Sequence, residues 1–147
     1  MPAAPRSVRR PYLAVAFALA GLVACAASAE IAAKTRELRP ERTYSGTLPL
    51  AVPPLMQSPI TSRTDLERAW AMCSVKEPMP ALDFRQRMVL ATVARSSKVS
   101  FVKLALDGGD LRTTVAVAPD MPDHHTCAFA VVDRAGIKSV NGVALGK

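Results

Sequence analysis

The tetrapeptide Asp107-Gly108-Gly109-Asp110 constrains this chain more than any other feature. Two adjacent glycines accept positive φ at both central positions of a type I′ turn, whose twist matches a pair of antiparallel strands. The flanks, Val99–Leu106 and Leu111–Ala118, alternate apolar and polar residues. Closing them through the two glycines sets Leu106 opposite Leu111, Leu104 opposite Thr113 and Val102 opposite Val115. Val102, Leu104, Leu106, Leu111, Val115 and Val117 then share one face. A slip of one residue would turn that whole set to solvent, so the register is specified by burial.

Further strands are expected at Arg87–Ala94, which is apolar on both faces, and at Thr126–Arg134. The polar loop Pro119–His125 precedes the latter, and a short extended piece is expected at Ile137–Val140. Thr64-Asp65-Leu66-Glu67 has the form of a capping box and opens a helix over Asp65–Ser74. Leu66, Ala69, Trp70 and Cys73 line one side of it at helical spacing. The expected fold is therefore α+β, with one N-terminal helix packed on a mainly antiparallel sheet of four or more strands. With 147 residues, 50% of them hydrophobic and 21% charged, the chain makes one small domain. Composition excludes a coiled coil, a collagen, a polytopic membrane protein and a large enzyme.

The N-terminus reads as an export signal. Arg6, Arg9 and Arg10 precede the apolar run Tyr12–Ala24, which is short for a membrane span. Leu22-Val23-Ala24-Cys25 has the pattern of a bacterial lipobox, with residues 1–24 removed and Cys25 lipidated. Cleavage after Ala29 is the alternative. Residues 25–59 are expected to form a tether between lipid and domain. Within it Glu30–Pro40 has short helical potential and Thr43–Leu50 could form an edge strand. The domain is then expected to span residues 60–147. The formal charge of +7 falls once the basic leader is removed, and no concentrated basic patch remains for nucleic acid.

Setting Cys25 aside leaves Cys73 on the helix face and Cys127 alternating with Phe129 and Val131 on the last strand. Both point inward from elements expected to pack together. In an oxidising compartment they should form a disulfide, closing a loop of about 55 residues for about 4 kcal/mol. Two reduced, buried thiols are the alternative. His124 and His125, beside Asp120, Met121 and Asp123, are the one cluster with metal-ligand chemistry. Adjacent histidines diverge in an extended chain, so a solvated loop with a weak binding role is expected, with no metal and no other cofactor. Asp107 and Asp110 are expected to be solvated turn residues. No motif of nucleophilic, phosphate-binding or metal-assisted catalysis occurs, and no catalytic residue is assigned.

The order of these features is informative. A capped helix with a tryptophan leads to Pro80-Ala81-Leu82-Asp83-Phe84, then to Met88-Val89-Leu90 opening a strand. A hairpin follows, and then Thr126-Cys127-Ala128-Phe129-Ala130-Val131-Val132. Over about residues 60–139 this resembles the PrcB C-terminal domain family, small exported bacterial domains named after a lipoprotein subunit of a surface protease complex. The resemblance implies a non-enzymatic envelope protein, in the periplasm or on the outer membrane. It would bind or stabilise another exported protein, such as a protease. An inhibitor of a secreted or periplasmic hydrolase, presenting Pro119–His125, is the alternative. A small metal-binding protein using His124 and His125 is a third.

Overall fold

The computed structural model describes residues 35–52 and 58–146. The expected signal peptide, the expected lipobox with Cys25, the alternative cleavage site after Ala29 and Glu30–Lys34 lie outside the described residues. The elements are β1 (Thr35–Leu38), β2 (Arg42–Pro49), α1 (Arg63–Met72), β3 (Arg87–Ala94), β4 (Val99–Asp107), β5 (Asp110–Val117), β6 (His124–Asp133), β7 (Ser139–Val140) and β8 (Val143–Ala144).

The expected α+β architecture with an N-terminal helix is corrected. Among the described residues 49% are strand and 9% helix, in two sheets, and the helix there is the short Arg63–Met72. A three-stranded antiparallel sheet has the order β2-β6-β3, and a five-stranded sheet the order β1-β4-β5-β7-β8. The cause lies in β6, whose residues from Thr126 to Val132 are all buried. A strand apolar on both faces needs cover on each. Cys127, Phe129 and Val131 face α1, together with Leu66, Ala69, Trp70 and Val89. Ala130 and Val132 face the five-stranded sheet, together with Met88, Leu90, Leu104 and Leu111.

The segment expected as a tether supplies two of the strands. Thr35–Leu38, read from sequence as part of a short helix, pairs antiparallel with β4, from Thr35 opposite Asp107 to Leu38 opposite Leu104. So short a helix gains little alone, whereas the β4 edge offers it a full set of backbone partners. Strands β1 and β2 thus belong to one compact unit with the segment from Ile60 onward.

Helix α1 starts earlier than the capping box suggests. Ser62 is the N-cap: its hydroxyl accepts from the Asp65 amide at 3.2 Å and donates to Asp65 Oδ2 at 2.6 Å. Thr64 and Glu67 lie inside the helix, and Glu67 pairs with Arg63 at 2.8 Å. Leu66, Ala69, Trp70 and Cys73 are all buried.

The β4–β5 turn has positive φ at both Gly108 (58°) and Gly109 (96°), with Leu106 opposite Leu111 and Leu104 opposite Thr113. The expected pairing of Val102 with Val115 is corrected. A bulge between Phe101 and Lys103 places Phe101 opposite Val115 and leaves Val102 56% exposed. The extra residue lets Val99 and Phe101 turn inward with Leu104 and Leu106.

Asn141 and Gly142, with φ of 49° and 81°, make a second turn of the same type between β7 and β8. Asp110 holds this C-terminal hairpin: its Oδ1 accepts from the Ser139 hydroxyl at 2.6 Å and from the Gly142 amide at 2.9 Å. Those bonds, Ser139 first, hold the Asp110 carboxyl below the usual aspartate range. Asp110 is therefore a structural acceptor rather than a solvated turn residue.

Candidate functional site

Strand β2 (Arg42-Thr43-Tyr44-Ser45-Gly46-Thr47-Leu48-Pro49) lies at the edge of the three-stranded sheet. Its even-numbered residues face α1, where Leu48 is buried and Tyr44 packs against the core. Gly46 has no room for a side chain. A Cβ there would run into the carbonyl of Cys73 and lie 2.9 Å from Val75 Cγ2. The chain leaving α1 therefore crosses directly over β2.

Two devices hold that crossing in place. A disulfide joins Cys73, the C-cap of α1, to Cys127 on β6, with the Cα atoms 6.2 Å apart. Trp70 wedges between Tyr44 and Phe129, with ring centroids 4.9 Å and 5.2 Å away. Its indole N–H donates to the Glu77 carbonyl at 3.0 Å. The segment from Ser74 to Ala81 is thus fixed as a wall on one side of β2.

The opposite wall is the start of β4. Thr43, Tyr44 and Ser45 share a 280 Å³ cavity with Glu77, Val99, Ser100 and Phe101. Ser45, Gly46 and Thr47 share a 290 Å³ cavity with Ser74, Lys76, Glu77, Ser97 and His124. Arg42–Tyr44 line a 580 Å³ cavity with Glu77–Ala81. The first two also touch β6, through Ala128 and Phe129 and through Thr126, while the third lies on the outer side of β2 alone, so the recess runs over β2 and past its outer edge. Among the described residues, β2 pairs with β6 alone. The facing half of β4 is also open, since β1 pairs only with Leu104–Asp107.

The histidines belong to β6 rather than to the loop expected at Pro119–His125. His124 pairs with Pro49 and His125 with Leu48. His124 lines the lower end of the recess, and its Nδ1 lies 3.2 Å from Asp123 Oδ1. His125 Nδ1 is buried without a hydrogen-bond partner among the described residues. As neighbours in a strand the two side chains point to opposite faces. Among the described residues no three His, Cys, Asp or Glu side chains gather to hold a metal ion.

The shortened loop, Pro119–Asp123, is anchored rather than freely solvated. Asp120 Oδ1 accepts from the Ser97 amide at 2.9 Å and the Ser96 hydroxyl at 3.0 Å, and Arg95 Nε donates to the Pro122 carbonyl at 2.9 Å. Hydrogen bonds from Ser97 and then Ser96 hold the Asp120 carboxyl below its usual range. Ser96 is fully buried, and its carbonyl accepts from the Thr126 hydroxyl.

Sequence reasoning placed a strand near Thr43–Leu50 but missed the recess beside it. No local pattern shows that Glu77–Ala81 and Val99–Phe101 converge there. Comparison with protein-family models, with curated proteins and with solved structures finds no match.

Proposed function

We propose that this chain is an exported, lipid-anchored envelope protein that binds or stabilises another exported protein and carries no catalytic activity of its own. The observation that supports this best is the walled recess along β2, pinned beneath by the Cys73–Cys127 disulfide. A disulfide suits an extracytoplasmic compartment. The recess offers backbone, hydroxyl and apolar groups, as a protein-binding surface does. The Nδ1 of its histidine meets a carboxylate rather than a serine or cysteine nucleophile. The PrcB-like order of motifs points the same way, with a surface protease complex as the kind of partner. Lipid at Cys25 would place the protein on the outer membrane, facing the periplasm. Intact-mass analysis of envelope protein, with crosslinking in the intact envelope, tests this. The expected result is a chain beginning at acylated Cys25, crosslinked to one exported protein. An unmodified chain beginning at Glu30 removes the anchor, and the absence of any crosslinked partner removes the binding role.

A second reading, inhibition of a secreted or periplasmic hydrolase, is favoured by Met121. It is 75% exposed on a loop held at Asp120 and Pro122, the form of a side chain presented to a cleft. Met121→Glu would then abolish inhibition while leaving partner binding at β2 intact.

A further inference from the structure

Resting on the protein-binding reading, we infer that the recess beside β2 is the slot for one extended segment of another exported polypeptide, which adds to the three-stranded sheet as a fourth strand. Three observations carry this.

The first is the edge itself. From Thr43 to Leu48 the strand has neither a charged residue nor a proline, the usual guards of an exposed edge. The opposite edge of the same sheet is guarded. Ile60 exchanges two hydrogen bonds with Val89, at 2.8 and 3.0 Å, and Ser58 Oγ accepts from the Ala91 amide at 3.1 Å. Among the described residues β2 bonds to β6 alone, and the backbone groups on the other side of such an edge are matched best by another extended backbone.

The second is the gap. β2 and Val99–Phe101, the half of β4 that pairs with β5 but is left uncovered by β1, line the same cavity, with Ala128 and Phe129 of β6 at its floor, and do not bond to each other. The space between them is bounded by strand on both sides.

The third is the walls. Glu77–Ala81 rises on one side of the edge and Ser97–Phe101 on the other. A slim extended chain fits between them, whereas a second folded copy could not bring its own recessed β2 edge into register. Alternate side chains of the incoming strand would meet different surroundings. One set faces Tyr44, Pro78, Met79 and Pro80, and the other faces Thr43, Ser45, Ser100 and Phe101. The partner segment is therefore apolar at every second residue toward the Tyr44 side, and small or hydroxylated between.

The test pans the full chain, disulfide intact, against a displayed library of random 12-residue linear peptides, and then uses synthetic copies of the winners. The expected winners alternate with period two. They slow amide hydrogen exchange over Thr43–Leu48. N-methylation of one alternate set of their amides weakens binding about 10-fold or more, while the other set changes it less than about 3-fold. Four results overturn the proposal: no peptide is selected; N-methylation acts without periodicity; protection appears elsewhere; or Thr43–Leu48 is already protected in the chain alone, through its own N-terminal residues or a dimer seen by sedimentation. Crosslinking in the envelope separates this from the broader reading. A crosslinked partner that leaves Thr43–Leu48 unprotected ends strand addition and keeps protein binding. Failure of both ends both.

Discussion

The two edges of the β2-β6-β3 sheet are strands of 8 residues that both pair antiparallel with β6, yet they differ in composition and in how they are finished. The β3 edge carries Met88, Val89 and Leu90, all buried, and is closed by a short local return of the chain at Ser58–Ile60. The β2 edge carries hydroxyls and a glycine and, among the described residues, is left open between walls. Closing an edge removes its donors and acceptors from reach of other chains. Holding an edge open takes rigid surroundings, and here the disulfide, the Trp70 wedge and the Trp70–Glu77 hydrogen bond provide them. The difference separates an edge closed by the chain itself from the edge at which the proposed partner would dock.

Removing the support of the open edge should have the largest effect. Trp70 is buried between Tyr44 and Phe129 and also holds the Glu77 wall. Trp70→Ala should cost about 3–5 kcal/mol, as truncations of large buried aromatics do. Against a total of about 5–10 kcal/mol for a domain this small, chemical denaturation should show a marginal or unfolded variant. A variant that keeps wild-type stability would mean that α1 does not depend on this wedge.

Opening the closed edge comes next. Ile60 is 2% exposed, and its backbone bridges Val89. Ile60→Ala should cost about 2–4 kcal/mol by lost burial, with the midpoint of denaturation shifted accordingly. Ser58→Ala removes only the acceptor for the Ala91 amide and should cost about 1 kcal/mol. If Ile60→Ala also brings concentration-dependent association, the return of chain at Ser58–Ile60 is an edge guard as well as core filling.

Guarding the open edge should leave the fold nearly unchanged. Thr43 and Ser45 are exposed, and the double variant Thr43→Lys, Ser45→Lys should stay within about 0.5 kcal/mol of the parent. Its partner capture should nonetheless be lost. A large destabilisation would show instead that these hydroxyls support the sheet.

The same contrast explains what could be read from the sequence. The β4–β5 turn was legible because Gly108-Gly109 and its flanks agree on one register. The bulge had a signal too. Val99-x-Phe101 and Leu104-x-Leu106 are out of phase by one residue, and an inserted Val102 reconciles them. Asn141-Gly142 was an unused hairpin signal of the strongest short-range kind. Strand β1 was not legible, because its conformation comes from the β4 edge rather than from its own residues. The recess was not legible for a related reason. Its walls lie about 30 to 55 residues beyond β2 in the chain, and they meet it through the packing of Trp70 and the Cys73–Cys127 bond.

The smallest expected effect concerns a third edge, that of β5, which the C-terminal hairpin covers through Asp110. The Ser139 and Gly142 hydrogen bonds favour the charged carboxylate, so the Asp110 pKa is lower in the folded chain than in the unfolded one. A depressed pKa contributes stability that is fully present above the unfolded value. That contribution fades as pH falls from the ordinary carboxylate range through the lower folded value. Acid should therefore loosen the β7–β8 cover before the disulfide-pinned layer, and amide protection at Ser139–Gly142, taken relative to the intrinsic exchange rate at each pH, should fall first. Asp110→Asn should remove most of this local pH dependence while leaving Trp70 fluorescence unchanged, since the hairpin and the Trp70 wedge lie on different sheets. If protection at Ser139–Gly142 and at Cys127–Val131 fell together in acid, the hairpin would be part of one cooperative unit with β6. Asp110 would then report on the whole domain rather than on the cover of a single edge.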